Sequence, residues 1–114
     1  MTHSEADVVA RHYRTATAGR PLLPDRVFGW EQEETRRKPS PWPALQILGA
    51  FGLRPGEALI VDDLKAGVLM GQSAGVPVAA AGWGHRIPRI QSYMREHCVA
   101  YLPTVEDFTR YILG

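Results

Sequence analysis

The sequence predicts an α/β fold, a parallel sheet flanked by helices, and three observations carry that reading. Ala58-Leu59-Ile60-Val61 is a short apolar run that stops at two adjacent acids, Asp62 and Asp63. Two further apolar runs, 76–81 and 99–102, follow it, and segments of helical period separate them. Strands alternating with helices of this length form βαβ units, whose strands run parallel. At 114 residues, 45% hydrophobic and 22% charged, the chain has room for one modest core and one domain.

Taken in order, Ser4-Glu5-Ala6-Asp7 reads as a capping box at the start of a helix over 4–18, stopped by Gly19 and Pro21. Arg26-Val27-Phe28-Gly29-Trp30 reads as a strand, and 31–38 as a polar loop, acidic first and basic afterwards. Ser40 is placed to cap the next helix with Pro41 at its first position. Ala44, Leu45, Ile47, Leu48 and Phe51 form its apolar face, and Gly52 ends it. A turn at Arg54-Pro55-Gly56-Glu57 leads into the strand 58–61.

The helix expected over 64–74 carries Ala66, Gly67, Gly71 and Ala74, small enough to let it lie close on a sheet, and Gly75 ends it. The strand 76–81 tolerates Pro77 near its start. Gly82-Trp83-Gly84-His85 is a loop at its carboxyl end. Ile87, Ile90, Met94 and Cys98 then recur at helical spacing. A strand over 99–102 precedes a last helix capped at Thr104, with Val105, Phe108 and Ile112 on one face.

A net charge of +1 offers no field for nucleic acid or an anionic membrane surface. The one cysteine, Cys98, excludes an internal disulfide and a cysteine-based zinc site, and fits a reducing cytoplasm. No signal-peptide segment or bilayer-length apolar run is present, so a soluble cytoplasmic protein is expected.

The chemistry-bearing residues follow from position. In an open parallel sheet, ligands bind at the carboxyl ends of the strands. Two neighbouring acids there repel unless a cation separates them, and hard cations such as Mg²⁺ take carboxylate oxygens. Asp62 and Asp63 are therefore the candidate metal residues, although a helix N-terminus by itself also favours acids. In Lys38-Pro39-Ser40-Pro41, Pro39 keeps Lys38 out of helical geometry, where its ammonium can meet a phosphoryl group; the alternative is a solvated loop charge. Thr2 stands directly before a helix start, where a hydroxyl and backbone N–H groups can hold an anion. His85 lies at the binding edge within reach of a substrate, and is read as a surface histidine. Trp30, Trp42 and Trp83 are read as packing residues, Trp83 with a place at a pocket mouth. Cys98 is read as core.

In order and spacing, Thr2, Lys38-Pro39-Ser40-Pro41 and Val61-Asp62-Asp63-Leu64-Lys65-Ala66-Gly67 resemble the second, third and fourth motifs of the haloacid dehalogenase superfamily of phosphatases. Ala74-Gly75-Val76-Pro77-Val78 is similar to that family's continuation. The resemblance implies a Rossmann-like core and a Mg²⁺-dependent phosphomonoester hydrolase acting on a small phosphorylated metabolite. It implies that Thr2 and Lys38 bind phosphate, with Lys38 the catalytic lysine. Asp63 would bind Mg²⁺, with Asp62 as direct or water-mediated support. In the family an aspartate attacks phosphorus to form a phosphoaspartate, and a second aspartate two positions later is general acid and base.

That first motif, Asp-x-Asp-x-Thr/Val, occurs nowhere in these residues, and Asp7 and Asp25 do not stand where it would. The expectation is a single partial core domain over 1–114, truncated at the N-terminus and without a cap, inactive alone. The family places the first-motif strand beside strand 58–61. The isolated chain is therefore expected to be poorly stable, rearranged or homo-oligomeric, or completed by a complementing N-terminal segment. The alternative is a non-catalytic phosphate- or metal-binding or interaction module. A response-regulator receiver domain fits less well, because its lysine follows the acids whereas Lys38 precedes them.

Overall fold

The computed structural model describes residues 34–114. Thr2, the helix 4–18 and the strand 26–30 lie outside the described residues. Within them, three strands form an all-parallel sheet in chain order: β1 (Ile60–Asp62), β2 (Val78–Ala81) and β3 (Ala100–Leu102). Ile60 pairs with Val78 and Asp62 with Ala80; Ala79 pairs with Ala100 and Ala81 with Leu102. Four helices accompany the sheet: α1 (Trp42–Phe51), α2 (Lys65–Ala74), α3 (Pro88–His97) and α4 (Val105–Leu113). The fold is the α/β parallel arrangement that the alternation predicts.

The core gathers Ala44 and Leu48 of α1, Ile60 of β1, Val68, Met70 and Ala74 of α2, Val76, Val78 and Ala80, and Met94 of α3. Helix α2 packs tightly because its sheet-facing side lacks bulk. A Cβ on Gly71 would run into the Val78 side chain and come within 2.9 Å of the Val76 carbonyl oxygen. Its end is set by Gly75, whose φ of 74° is the left-handed conformation glycine adopts without strain.

Several expectations shift. Helix α1 begins at Trp42 rather than Pro41, because the Pro41 carbonyl closes the first turn by accepting from the Leu45 N–H at 3.0 Å; Ser40 still accepts the Trp42 N–H at 3.2 Å. Strand β1 starts at Ile60, where pairing with β2 starts, and extends through Asp62. Leu45 and Phe51 are 48% and 49% exposed, while burial goes to Pro43, Ala44 and Leu48. Val105 and Ile112 of α4 are likewise about half exposed. Cys98 stands one residue beyond α3, half-buried against the core.

Candidate functional site

The carboxyl end of β1 collects the charged residues. Side chains alternate along a strand, so Asp62 leaves β1 on the same side as the buried Ile60, while Asp63 sits one residue past the strand end. Lys38 donates to Asp62 Oδ2 at 2.7 Å, with only 12% and 9% of the two side chains accessible. Asp62 Oδ1 accepts the backbone N–H groups of Asp63 at 2.7 Å and Leu64 at 3.1 Å. Gly67, in the first turn of α2, makes room for this carboxylate, since a Cβ there would collide with the Asp62 side chain.

Burial opposes ionisation of Asp62, but the Lys38 ammonium and the N–H groups of Leu64 and Asp63 outweigh it and hold the carboxyl below its ordinary value. The effect reaches Cys98, whose thiol burial pushes up and the Asp62 charge pushes further in the same direction.

Asp63 has a different partner. His85 Nε2 lies 3.1 Å from Asp63 Oδ2, with 31% and 36% of the side chains accessible. The two line a shallow, open depression with Gly82, Gln91, Tyr101 and Met94. Lys38 and Asp63 thus belong to the same end of β1, Lys38 through Asp62 and Asp63 facing the pocket. His85, read from sequence as a surface residue at the binding edge, lies with its ring beside Asp63. Its signal was a loop with two glycines at the carboxyl end of the neighbouring strand. Trp83 packs on Phe108, ring centroids 5.9 Å apart, with 41% of its surface exposed.

Among the described residues, no group of three or more His, Cys, Asp or Glu side chains converges in metal-binding geometry. The donor set is two adjacent carboxylates. Both Asp62 oxygens already have protein partners, whereas Asp63 is the more accessible carboxylate. Mg²⁺ commonly takes one or two carboxylates and completes its shell with water and phosphate oxygens, so Asp63, backed by Asp62, fits that ion.

Comparison with known proteins gives a consistent lineage. The family model described as haloacid dehalogenase-like hydrolase matches residues 25–81, half of the chain. A phosphoglycolate phosphatase of Photorhabdus laumondii is 32% identical over 63 residues, which are 55% of this chain and 27% of that protein. The match therefore spans about a quarter of the curated relative's length. A conserved haloacid dehalogenase-like protein of unknown function from Agrobacterium tumefaciens superimposes with a TM-score of 0.79 at 19% identity, over 97% of this chain and 51% of that one. That likeness shows the shared fold.

Proposed function

This chain belongs to the haloacid dehalogenase-like hydrolase family, and from that premise we propose that it is the metal- and phosphate-holding part of a Mg²⁺-dependent phosphomonoester hydrolase of the phosphoaspartate type. The observation that carries the reading is Lys38 seated 2.7 Å from Asp62, with Asp63 the next residue along. Phosphoryl transfer depends on positioning and on stabilising charge at the equatorial oxygens, so a lysine beside a metal-binding carboxylate is the equipment it needs. In this reading Asp63 holds Mg²⁺, Asp62 orients Lys38 and braces the turn into α2, and Lys38 offsets charge on the phosphoryl group. Thr2 binds phosphoryl oxygens. Bound Mg²⁺ supplies further positive charge against those oxygens.

The nucleophile is the part not found among the 114 residues, which hold no Asp-x-Asp pattern. We assign it to a complementing segment. The substrate is a small phosphorylated metabolite. A phosphoglycolate phosphatase is among the relatives, so 2-phosphoglycolate belongs among the compounds to try. Among the described residues no helix is long and apolar enough to cross a membrane, and the lone cysteine supports a cytoplasmic setting.

The test is phosphate release from 2-phosphoglycolate and phenyl phosphate with Mg²⁺. It compares the chain alone with the chain fused to the Asp-x-Asp segment of the phosphoglycolate phosphatase relative. Turnover is expected from the fusion only, and is expected to vanish in Asp63→Asn and Lys38→Ala. Turnover by the unfused chain would refute the missing nucleophile. One observation favours a second, non-catalytic reading: Lys38 is already engaged by a carboxylate and is largely withdrawn from water. That reading expects Mg²⁺ or phosphate binding with no turnover in either form.

A further inference from the structure

We infer that the cleft between α2 and α3 is the subsite for the non-reacting end of the substrate, and that this end carries a carboxylate on an apolar or ring-bearing body. The inference rests on the phosphate site just proposed beside Asp63. The two helices pack against each other, and Leu64, Lys65, Arg89, Ile90 and Tyr93 line the hollow between them. Ile90 lines this hollow and the depression at Asp63 alike, and Lys65 stands two residues after Asp63, so the two hollows adjoin. A molecule with its phosphoryl group beside Asp63 therefore extends past Ile90 into the cleft.

The charge of the cleft is the reason to expect an anion. Lys65 is the first residue of α2 and Arg89 the second of α3, and both side chains are exposed. The first turn of a helix favours acids, and neither helix has one there. Two cations in those places add to the positive ends of two helix dipoles, at a cost to stability that a bound anion offsets. Among the described residues neither Lys65 nor Arg89 has a carboxylate partner, whereas Lys38, Arg54 and Arg110 each do. Lys65 is instead held over the Tyr93 ring, its ammonium 5.5 Å from the centroid. That ring is fixed in turn: it stacks on His97 at 4.1 Å, and His97 Nδ1 donates to the Tyr93 carbonyl oxygen at 2.9 Å. Ile90 and Tyr93 pack against the core, and Leu64 completes an apolar wall. An inorganic anion uses only the cations. The apolar wall calls for an organic body between the phosphoryl group and the second anion, and the planar fork of Arg89 suits a carboxylate.

The experiment titrates the full 114-residue chain with three aryl phosphates in the presence of Mg²⁺, following amide ¹H–¹⁵N shifts. The ligands are phenyl phosphate, 4-carboxyphenyl phosphate and its neutral match, 4-carbamoylphenyl phosphate. The carboxylate is expected to bind about fivefold more tightly than the carboxamide, the upper end for an ion pair that stays partly wet. It is expected to shift the amides of Lys65, Arg89 and Tyr93 together with that of Asp63. In the double variant Lys65→Gln, Arg89→Gln the preference for the carboxylate is expected to vanish, and Arg89→Lys is expected to keep part of it. The same spectra establish that each variant is folded. Equal affinity for carboxylate and carboxamide in wild type overturns the inference and leaves the phosphate site standing. A preference that survives in the double variant overturns it too, since the carboxylate then lies elsewhere. Benzoate bound as tightly as 4-carboxyphenyl phosphate overturns the link between the cleft and the phosphate site. No binding of any aryl phosphate overturns the phosphate site and this inference with it.

Discussion

Lys38 and Asp62 are both largely withdrawn from water, so removing Lys38 takes from the Asp62 carboxylate the ammonium beside it. Lys38→Met is expected to lower unfolding free energy by about 2–3 kcal/mol, the low side for a broken buried pair, because Asp62 keeps its two N–H donors. Urea titration of both proteins checks this. The acid dependence has a definite sign. The folded Asp62 carboxyl is held below its unfolded value, so the stability it brings is present above about pH 3.9 and is lost as pH falls through the lower folded value. Without Lys38, the two lowering effects it supplies are lost and this acid limb is expected to flatten in urea titrations between pH 2 and 7. Asp107 is depressed in the same direction by the Thr104 hydroxyl and Arg110, but its carboxylate stands at the surface in water and adds little to the limb. The sequence already displayed the lysine and the acids, each marked by a proline or a strand end. Which acid takes the lysine follows from strand alternation, since Asp62 shares the face of Ile60. The His85 partnership depends on how a loop folds over another strand's end, and no local pattern encodes that.

At the scale of elements, α2 joins the sheet to the site. Its small residues let it approach β1 and β2, and Gly67 at its start gives the Asp62 carboxylate its place. Gly71→Ala is expected to destabilise by about 1–3 kcal/mol, the usual penalty of overpacking, despite alanine's better helix propensity. Thermal and urea unfolding of Gly71→Ala against Gly49→Ala, where an added Cβ meets nothing within 4 Å, isolates the packing effect. The small-residue stripe of α2 was readable as such, because Gly67, Gly71 and Ala74 recur at helical spacing and all three are buried. The apolar face of α1 was less readable. Leu45 lies about 100° around the helix from Ala44, away from the side that packs. Phe51 shares the stripe but is the last helical residue, where the chain departs through Gly52 at a φ of 63°. Periodicity finds a stripe but not how far along it the neighbouring elements reach.

At the scale of the molecule, parallel strands in chain order bring three carboxyl ends to one edge, and both acids and the 82–85 loop meet there. That convergence was legible, because alternating strands and helices leave few other arrangements. The surroundings of β1 were not. Among the described residues it pairs only with β2, and a groove lined by Ile47, Leu48, Leu59, Val61 and Asp62 lies beside it. The site therefore stands at the margin of the described sheet, where its acids carry negative charge with one lysine against it. A divalent ion that binds the folded chain and not the unfolded one must stabilise the fold by mass action. At ten times the dissociation constant the gain is about 1.4 kcal/mol. For a domain of this size that corresponds to a rise in melting temperature of about 5 °C. Scanning calorimetry in Mg²⁺ against EDTA is expected to show this rise in wild type. It is expected to fall away in Asp63→Asn, while Lys38→Met, lower melting at the outset, still responds to the ion. An equal rise in wild type and Asp63→Asn would place the ion elsewhere on the chain and remove Asp63 from the site.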